Sequence, residues 1–493
     1  MSRPDFAEPT GVLEVISQAA AVWGNRPAVT GSGRNTSESY SYIELLAAIH
    51  QCAAWIRQAN LPAPLVVVPS STPTDVVTIL AAVVAGARPL VADLTWTERE
   101  LHEVIRATGA GGLLGRRAVL PAGLMPVGRT WREITLGRWA PTHAGGPSPA
   151  AENGSLDGIG FGRFSSGSTG GSRCLGFSEQ AAVHAATAWR QASGLTSSDT
   201  VLCLATLNNG LALNTCLLSV FGAGARLVLH GGRPIPSSIA RAMRAVRPSV
   251  LVAFPFAFDA LTENGWLERG QLRLAVSSAA PLAPATARRW QEQTGLGVCN
   301  YYGLVETGPV TFNDGTVQGS VGTALPGAEI AIEPVSGAPA GVGRVLVRTR
   351  SMATRYLDGR LPDLASSLTP DGFYRTSDLG VLDSAGHLRL TGRVGAVVNV
   401  AGRKIDPNEV SAVIRSIPGV SDVLVRGEPA AGGELLVAYI ESSTVARQVV
   451  VDHCRDLLAD YKLPGRIVIS AKLPRSSAGK VAAAQLAVEP ATP

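Results

Sequence analysis

Apolar and polar positions along this chain follow two periods. Residues 64–69 (PLVVVP) form a short continuous apolar run, and Arg88–Ala92, Val201–Ala205, Ala225–His230, Ser249–Phe254 and Leu272–Ser277 do likewise. Short apolar runs bounded by turn residues predict buried strands. Residues 11–60 read as helices around a short extended piece, and Ser41-Tyr42-Ile43-Glu44-Leu45-Leu46 opens an amphipathic helix reaching about Gln58. Further helices are predicted from about Thr74 to Ala85, Thr97 to Ala107, Ser178 to Ser193, Leu211 to Phe221, 237 to 245 and 282 to 294. Strand–helix alternation of this kind predicts a parallel α/β sheet.

The pattern then changes twice. Residues 140–158 are rich in Pro, Gly and Ser without periodicity, which predicts a surface loop. From Gly319 to Leu390 the runs are short and alternating (AEIAIEP, GRVLVRT, HLRL), which predicts a β-rich subdomain. From Val397 the order is helix Asn408–Ile417, strands Ser421–Arg426 and Glu434–Glu441, helix Thr444–Tyr461 and strand Arg466–Ser470. That is a compact α+β unit of roughly a hundred residues, enough for a domain of its own. The expected fold class is α/β. A large N-terminal domain, residues 1–394, holds parallel α/β subdomains and the β-rich one, and a small α+β C-terminal domain covers residues 395–493.

Composition narrows the class. At 493 residues and 46% hydrophobic content the chain can bury large cores. A net charge of +5 without a basic run gives no reason to expect nucleic acid as a partner. Six scattered cysteines without a C-x-x-C pair fit a reducing, cytoplasmic setting and argue against a disulfide framework or a zinc site. The start, MSRPDFAEPT, has no apolar stretch of signal-peptide type. No apolar run approaches the roughly 20 residues of a membrane-spanning helix, so no membrane partner is expected.

The candidate chemistry begins at Phe164–Leu175, FSSGSTGGSRCL. Ser165, Ser166, Ser168 and Thr169 alternate with Gly167, Gly170 and Gly171. Such a run has little bulk, turns through positive φ and presents backbone N–H groups to an anion. Arg173 adds a fixed charge suited to phosphate oxygens. The G-x-x-x-x-G-K-[ST] pattern of a Walker loop is absent. Read alone, the stretch also fits a flexible Ser/Gly linker. Three further stretches follow: Asn300–Glu306 (NYYGLVE), Tyr374–Gly380 (YRTSDLG) with Gly392–Glu409 (GRVGAVVNVAGRKIDPNE), and Leu473–Lys480 (LPRSSAGK).

With these four motifs in this order the chain resembles the adenylate-forming superfamily of acyl-CoA synthetases, aryl-acid ligases, peptide-synthetase adenylation domains and luciferases. The resemblance implies a nucleotide site. Ser165, Ser166, Gly167, Ser168, Thr169, Gly170 and Arg173 would hold the ATP phosphates. Asn300, Tyr302 and Gly303 would form an adenine-site turn, with Tyr302 stacking on the purine. Glu306, with Thr169, would hold Mg²⁺. Asp378 would bind the ribose, and Arg393 the ribose or phosphates; read blindly, this pair is a loop salt bridge. Lys480 would be the catalytic cation between acid and α-phosphate. Gly402 would line a tunnel for a pantetheine arm, and the C-terminal domain would be mobile about a hinge at Gly395.

Departures from the family pattern occur at Gly171, Cys174, Val305, Arg344 and Gly395. Val305 removes a hydroxyl next to Glu306. The acid pocket would lie between the helix after Asn209-Gly210 and the strand ending near Ser277-Ser278-Ala279-Ala280. Its helix, in LATLNNGLALNT, carries no carboxylate for an α-ammonium, which disfavours a simple α-amino acid. Asn208, Asn209 and Asn214 suit either hydrogen bonds to an aryl acid or helix capping. The seven histidines show no metal spacing.

The implied function is ATP-dependent ligation. A small-molecule carboxylic acid, aryl or acyl, is adenylated with release of pyrophosphate and passed to CoA or to a carrier-protein phosphopantetheine supplied in trans. The setting associated with it is bacterial secondary metabolism such as antibiotic biosynthesis. Two alternatives stand beside it: an adenylating enzyme with an atypical acid or acceptor (nitrite for diazotisation of an aryl amine, or amide formation), and a non-catalytic nucleotide-binding protein.

Overall fold

The computed structural model describes residues 8–33, 38–120, 124–128, 130–139, 156–165, 173–231, 234–263, 265, 267–278, 282–335, 338–339, 341–359, 363–393, 398–400, 403–405, 407–430, 433–458, 462–475, 481–482 and 486. The chain forms two compact units: residues 1–331, 346–375 and 383–388 make up the first, and residues 332–345, 376–382 and 389–493 the second. The predicted 140–158 loop falls mostly outside the described residues.

The first unit contains two mixed sheets with parallel centres. The larger has nine strands, in the order Thr323–Ala324, Gly308–Asn313, Cys299–Leu304, Leu274–Ser277, Val250–Ala253, Thr200–Cys203, Arg226–Gly231, Pro27–Gly33 and Ser39–Ser41. The second has eight, in the order Arg355–Tyr356, Arg173–Phe177, Phe161–Ser165, Leu90–Val91, Leu65–Val68, Gly112–Arg116, Ile134–Trp139 and Leu124–Pro126. Apolar central strands such as Leu65–Val68, buried at every position, are what a sheet covered on both faces requires.

Helix starts follow local chemistry. Ser41, Thr72 and Thr97 each accept the N–H three residues on, while Glu44, Asp75 and Glu100 reach back to the cap N–H. These reciprocal caps satisfy two otherwise orphaned donors and begin the helices Tyr42–Gln58, Pro73–Val84 and Glu98–Thr108 where the pattern predicts them. The helix predicted over Leu211–Phe221 is two helices, Gly210–Cys216 and Leu218–Ala223, broken at Leu217. Thr215 donates its hydroxyl to the Leu211 carbonyl at 2.6 Å, a back-bond that bends helices. The strands Gly112–Arg116, Leu124–Pro126 and Ile134–Trp139 and the helix Pro255–Glu263 lie where short, glycine- or proline-interrupted runs carry no clear period. The alternating runs after Gly319 do form strands, among them Ala328–Pro334, Gly343–Thr349, Tyr374–Leu382 and Leu388–Arg393.

One ion pair with a buried carboxylate ties the N-terminal ends of three parallel strands. Asp199 accepts from Arg273 Nε and Nη2, both at 2.7 Å, from the Ser249 hydroxyl at 2.8 Å and from the Thr196 N–H at 2.9 Å. These residues precede Thr200–Cys203, Val250–Ala253 and Leu274–Ser277. Burial pushes the Asp199 carboxyl up, but these donors more than offset it and hold the pKa at about 2. A folded-state pKa below the unfolded one contributes stability above the unfolded value, lost as pH falls through the folded one. Asp199→Asn weakens charge-assisted hydrogen bonds but leaves a half-exposed guanidinium, and is expected to cost about 1.5–3 kcal/mol at pH 7. The gap to wild type should narrow as pH drops from about 4 towards 2, which thermal melts over that range would read.

In the second unit the strands Asp422–Ala430, Gly433–Glu441 and Arg466–Ser470 form one sheet. The helices Pro407–Arg415 and Arg447–Leu457 share a core with it through Val410, Ile414, Val450 and Cys454. The predicted helix–strand–strand–helix–strand order is observed, preceded by a hairpin of Val398–Val400 and Arg403–Ile405. All six cysteines are free and buried. Among the described residues no helix is long and apolar enough to cross a membrane.

Candidate active site

The strand Phe161–Ser165 pairs parallel with Leu90–Val91 and antiparallel with Arg173–Phe177. The last pair is Ser165 with Arg173. Ser166, Gly167, Ser168, Thr169 and Gly170 lie outside the described residues. The Arg173 guanidinium sits 3.4 Å from the centroid of the Tyr356 ring and 3.9 Å from the Asp358 carboxylate. Asp358 also accepts the Cys174 N–H at 3.3 Å. A cation is thereby held beside Ser165 at the end of the strand pair, with its side chain mostly covered.

Asn300-Tyr301-Tyr302-Gly303 is a strand and not a turn: Cys299–Leu304 pairs with Leu274–Ser277 on one side and Gly308–Asn313 on the other. Alternation places Asn300 and Tyr302 on one face and Tyr301 on the other. Tyr301 packs edge-on against Trp189 in the core, while the two residues expected at the adenine stay together. Gly303 is required by the hairpin, because a Cβ there would stand 2.3 Å from the Gly308 carbonyl oxygen.

Glu306 lies in the connection from Leu304 to Gly308. The Ala353 N–H donates to its carbonyl at 2.8 Å, and the Thr349 hydroxyl donates to the Thr307 carbonyl at 2.7 Å. Gly308, at φ +69°, would bring a Cβ to 2.9 Å from the Ser351 hydroxyl. These contacts fix where the carboxylate emerges. The Thr307 hydroxyl does not replace the one missing at Val305: it is fully buried and engaged with Gly308 and Leu304. Tyr356 and Tyr374 both feel Glu306 and Arg173; burial first, then the Glu306 charge, raises their pKa values above the ordinary phenol range. The structure thus brings Glu306 and Arg173 into one cluster with Tyr374, which opens the motif YRTSDLG, and with Tyr356 and Asp358, which lie outside the motifs.

In the second unit, Arg393 Nε donates to Asp378 Oδ1 at 2.9 Å. The pair is carried by strands and not loops, Asp378 on Tyr374–Leu382 and Arg393 at the end of Leu388–Arg393. Thr376 accepts the Asp378 N–H at 3.0 Å and donates to the Val345 carbonyl at 2.7 Å, which holds the carboxylate in place. Lys480, Gly402 and Gly395 lie outside the described residues.

The asparagines separate by role. Asn209 caps the helix Gly210–Cys216 by accepting the Leu211 N–H at 2.9 Å. Asn214 donates to the Tyr301 hydroxyl at 2.8 Å and accepts from Arg163 at 3.5 Å. Burial pushes the Tyr301 hydroxyl pKa up to about 12 against the opposing effects of Asn214 and Arg163. His230 is buried, 3.4 Å from the Ser32 hydroxyl and 3.0 Å from that of Ser238, in a structural setting. His184 lines a cavity of about 210 Å³ with Thr187, Gln191, Arg350 and Ser351. Arg163 was not singled out by any motif; an arginine inside a short apolar strand that enters the loop was the one available signal.

Comparison with known proteins identifies the family. The chain is 30% identical over 305 residues to an oxalate–CoA ligase of Arabidopsis thaliana, covering 58% of this chain and 59% of that protein. It is 27% identical over 287 residues to a long-chain-fatty-acid–CoA ligase of Escherichia coli O157:H7, covering 54% and 49%. The matched stretch thus spans about half the length of these curated relatives. The fold superposes on the o-succinylbenzoate–CoA synthetase of Bacillus subtilis in complex with its acyl-adenylate intermediate, with a TM-score of 0.80 at 20% identity and 98% coverage of both chains. The family model described as AMP-binding enzyme matches residues 16–357, and that of the AMP-binding enzyme C-terminal domain matches 409–480. Matched over most of its length, the chain belongs to the AMP-binding enzyme family.

Proposed function

We propose that this chain is an ATP-dependent acid–thiol ligase, with an adenylation domain over residues 1–394 and a mobile C-terminal domain over 395–493. The observation that carries the reading is the cluster beside the Ser165–Arg173 strand pair. Arg173 sits against Tyr356, and the Glu306 carboxylate lies within electrostatic reach of Tyr356 and Tyr374.

An oxygen of the acid's carboxylate attacks the α-phosphorus of ATP. The bond to the bridging oxygen breaks, and pyrophosphate leaves with the electron pair. Arg173 and the Ser165–Gly170 loop hold the β- and γ-phosphates. Lys480 meets the charge that develops between acid and α-phosphate, where preorganised cations stabilise a transition state most. Tyr302 and Asn300 hold the purine, and Asp378 with Arg393 the ribose. The thiol sulfur of CoA or of a carrier-protein pantetheine, entering past Gly402, then attacks the acyl carbon. The bond to AMP breaks, AMP leaves with the electron pair, and the thiol proton passes to solvent. Closure of the C-terminal domain would shield the mixed anhydride from water.

The residues fit a magnesium ion that arrives with the nucleotide. Among the described residues no group of three His, Cys, Asp or Glu forms a protein cage. One carboxylate beside phosphate oxygens and water is the usual setting for Mg²⁺. Glu306 and Thr169 would hold it, and it would neutralise phosphate charge.

Cytoplasmic bacterial secondary metabolism, antibiotic biosynthesis included, is the setting we propose. The test is pyrophosphate release from ATP and Mg²⁺ across fatty, benzoic, cinnamic and amino acids and nitrite, first without CoA and then with it. Release with a carboxylic acid, and a thioester on adding CoA, is expected. Release with nitrite alone, or an adenylate that CoA never discharges, would overturn the ligase reading in favour of an atypical acid or acceptor. Silence with every acid would leave a nucleotide-binding protein.

A further inference from the structure

Arg163 stands in the middle of the strand Phe161–Ser165 and is 4% exposed. The described side chains in contact with it are neutral. Its Nη1 lies 3.5 Å from the Asn214 amide oxygen, a long contact, and its guanidinium carbon 5.6 Å from the centroid of the Phe177 ring. Its Nε has no hydrogen-bond partner among the described residues. Its Nη2 would be 2.2 Å from a Cβ at position 210, so only glycine there leaves room for the guanidinium. Among the described residues Glu306 is the carboxylate with a charge effect on it, and that group is assigned above to the metal. A buried, uncompensated cation is expensive, and proteins keep one where a ligand completes it.

The place matters as much as the charge. Gly210 and Asn214 are one turn apart on the helix that bounds the acid pocket, and Tyr301, bonded to Asn214, lies on the strand that carries Asn300 and Tyr302. The Ser278 hydroxyl donates to the Tyr301 carbonyl at 2.8 Å, which ties in the pocket's other boundary. We propose that Arg163 is the specificity-determining residue of the acid pocket and receives a second carboxylate of the substrate, so that the chain activates a dicarboxylic acid at one of its two ends. The proposal rests on the ligase reading above.

Three arguments select this occupant. A guanidinium fork matches a carboxylate in two parallel hydrogen bonds. A single cation among neutral groups balances one negative charge and not the nearly two of a phosphate. The reacting carboxylate must face the α-phosphate and Lys480, and a guanidinium clamped on it would withhold its charge from phosphorus. Asn214 and Tyr301 then serve as positioning residues: the Asn214 amide, oriented by the Tyr301 hydroxyl, turns its oxygen to the guanidinium.

The test pairs each short diacid with the mono-acid that carries a methyl in place of the second carboxylate: malonate with propanoate, succinate with butyrate, phthalate with 2-methylbenzoate. Wild type is expected to release pyrophosphate with one diacid at a kcat/KM roughly 10²-fold or more above its partner, because the mono-acid leaves the guanidinium unpaired. Arg163→Met should erase that ratio and Arg163→Lys restore part of it. That diacid alone, without ATP, should raise the wild-type melting temperature and not that of Arg163→Met. Asn214→Asp places a carboxylate against the guanidinium. It should raise the ligand-free melting temperature and erase the diacid preference, and it carries the test if Arg163→Met does not fold. Release with mono-acids and no diacid preference overturns this proposal and leaves the ligase reading intact. Variants at 163 that lose stability but keep the wild-type ratio overturn it too, as does release with nitrite alone. Silence with every acid fails the ligase reading itself.

Discussion

Lys480→Ala is expected to lose acid-dependent pyrophosphate release by about 10²–10³ in rate, or about 2.7–4 kcal/mol of transition-state stabilisation. The argument begins with the sequence, since Lys480 lies outside the described residues. A lysine in a polar segment is ordinarily just solvated. LPRSSAGK, standing last in a series of four motifs in family order, is the ground for the role proposed for this one. In adenylation, negative charge grows between the incoming acid oxygen and the departing pyrophosphate. A cation placed there interacts more strongly with the transition state than with bound ATP. The loss should therefore fall on kcat, with the KM for ATP little changed. The second step breaks no bond to phosphorus, so discharge of a supplied acyl-adenylate by CoA should survive the substitution. Stopped-flow release of pyrophosphate, set beside thioester formation from synthetic adenylate, separates the two. Undiminished release by Lys480→Ala would remove Lys480 from the mechanism, and loss of both steps together would point to a structural role.

The elements legible in the sequence were those whose signals are local. Ser41, Thr72 and Thr97 each announce a helix within four residues, because cap and third residue satisfy each other's backbone. Central parallel strands such as Leu65–Val68, Thr200–Cys203 and Val250–Ala253 were legible as continuous apolar runs for the same reason. The break at Leu217 was not, because Leu211–Phe221 keeps a helical apolar period through it, and the Thr215 back-bond becomes visible only once the helix exists. Glycine-interrupted strands such as Gly112–Arg116 escaped because neither period develops over five residues.

The candidate site divides along the same line. Ser165, Arg173, Asn300, Tyr302, Glu306, Asp378 and Arg393 were legible because each sits in a contiguous motif. What surrounds them was not. Tyr356 and Asp358 meet Arg173 across more than 180 residues of chain, and Asn214 meets Tyr301 across 87. Asn209 shows the converse. Of its two readings, ligand contact and helix cap, the structure places it in the cap, through a bond to an N–H two residues on.

Glu306→Gln should show what that carboxylate holds. The substitution keeps the shape and removes the charge. The hairpin around it is pinned by backbone groups of Glu306 and Thr307 and not by the Glu306 side chain, so the fold should be retained. A carboxylate oxygen is a far better ligand for a hard divalent cation than an amide oxygen. The Mg²⁺ concentration for half-maximal pyrophosphate release should therefore rise by roughly 10–100-fold or more, with partial recovery at high Mg²⁺. Glu306 is also, among the described residues, the carboxylate felt by Arg163, and its removal has a second consequence. The Glu306→Gln variant leaves that guanidinium more exposed to an external anion, so its affinity for the diacid, measured without ATP or Mg²⁺, should hold or rise while its demand for metal climbs. A fall in both affinities together would place Glu306 in the acid pocket instead. An unchanged Mg²⁺ requirement would take the metal away from it altogether.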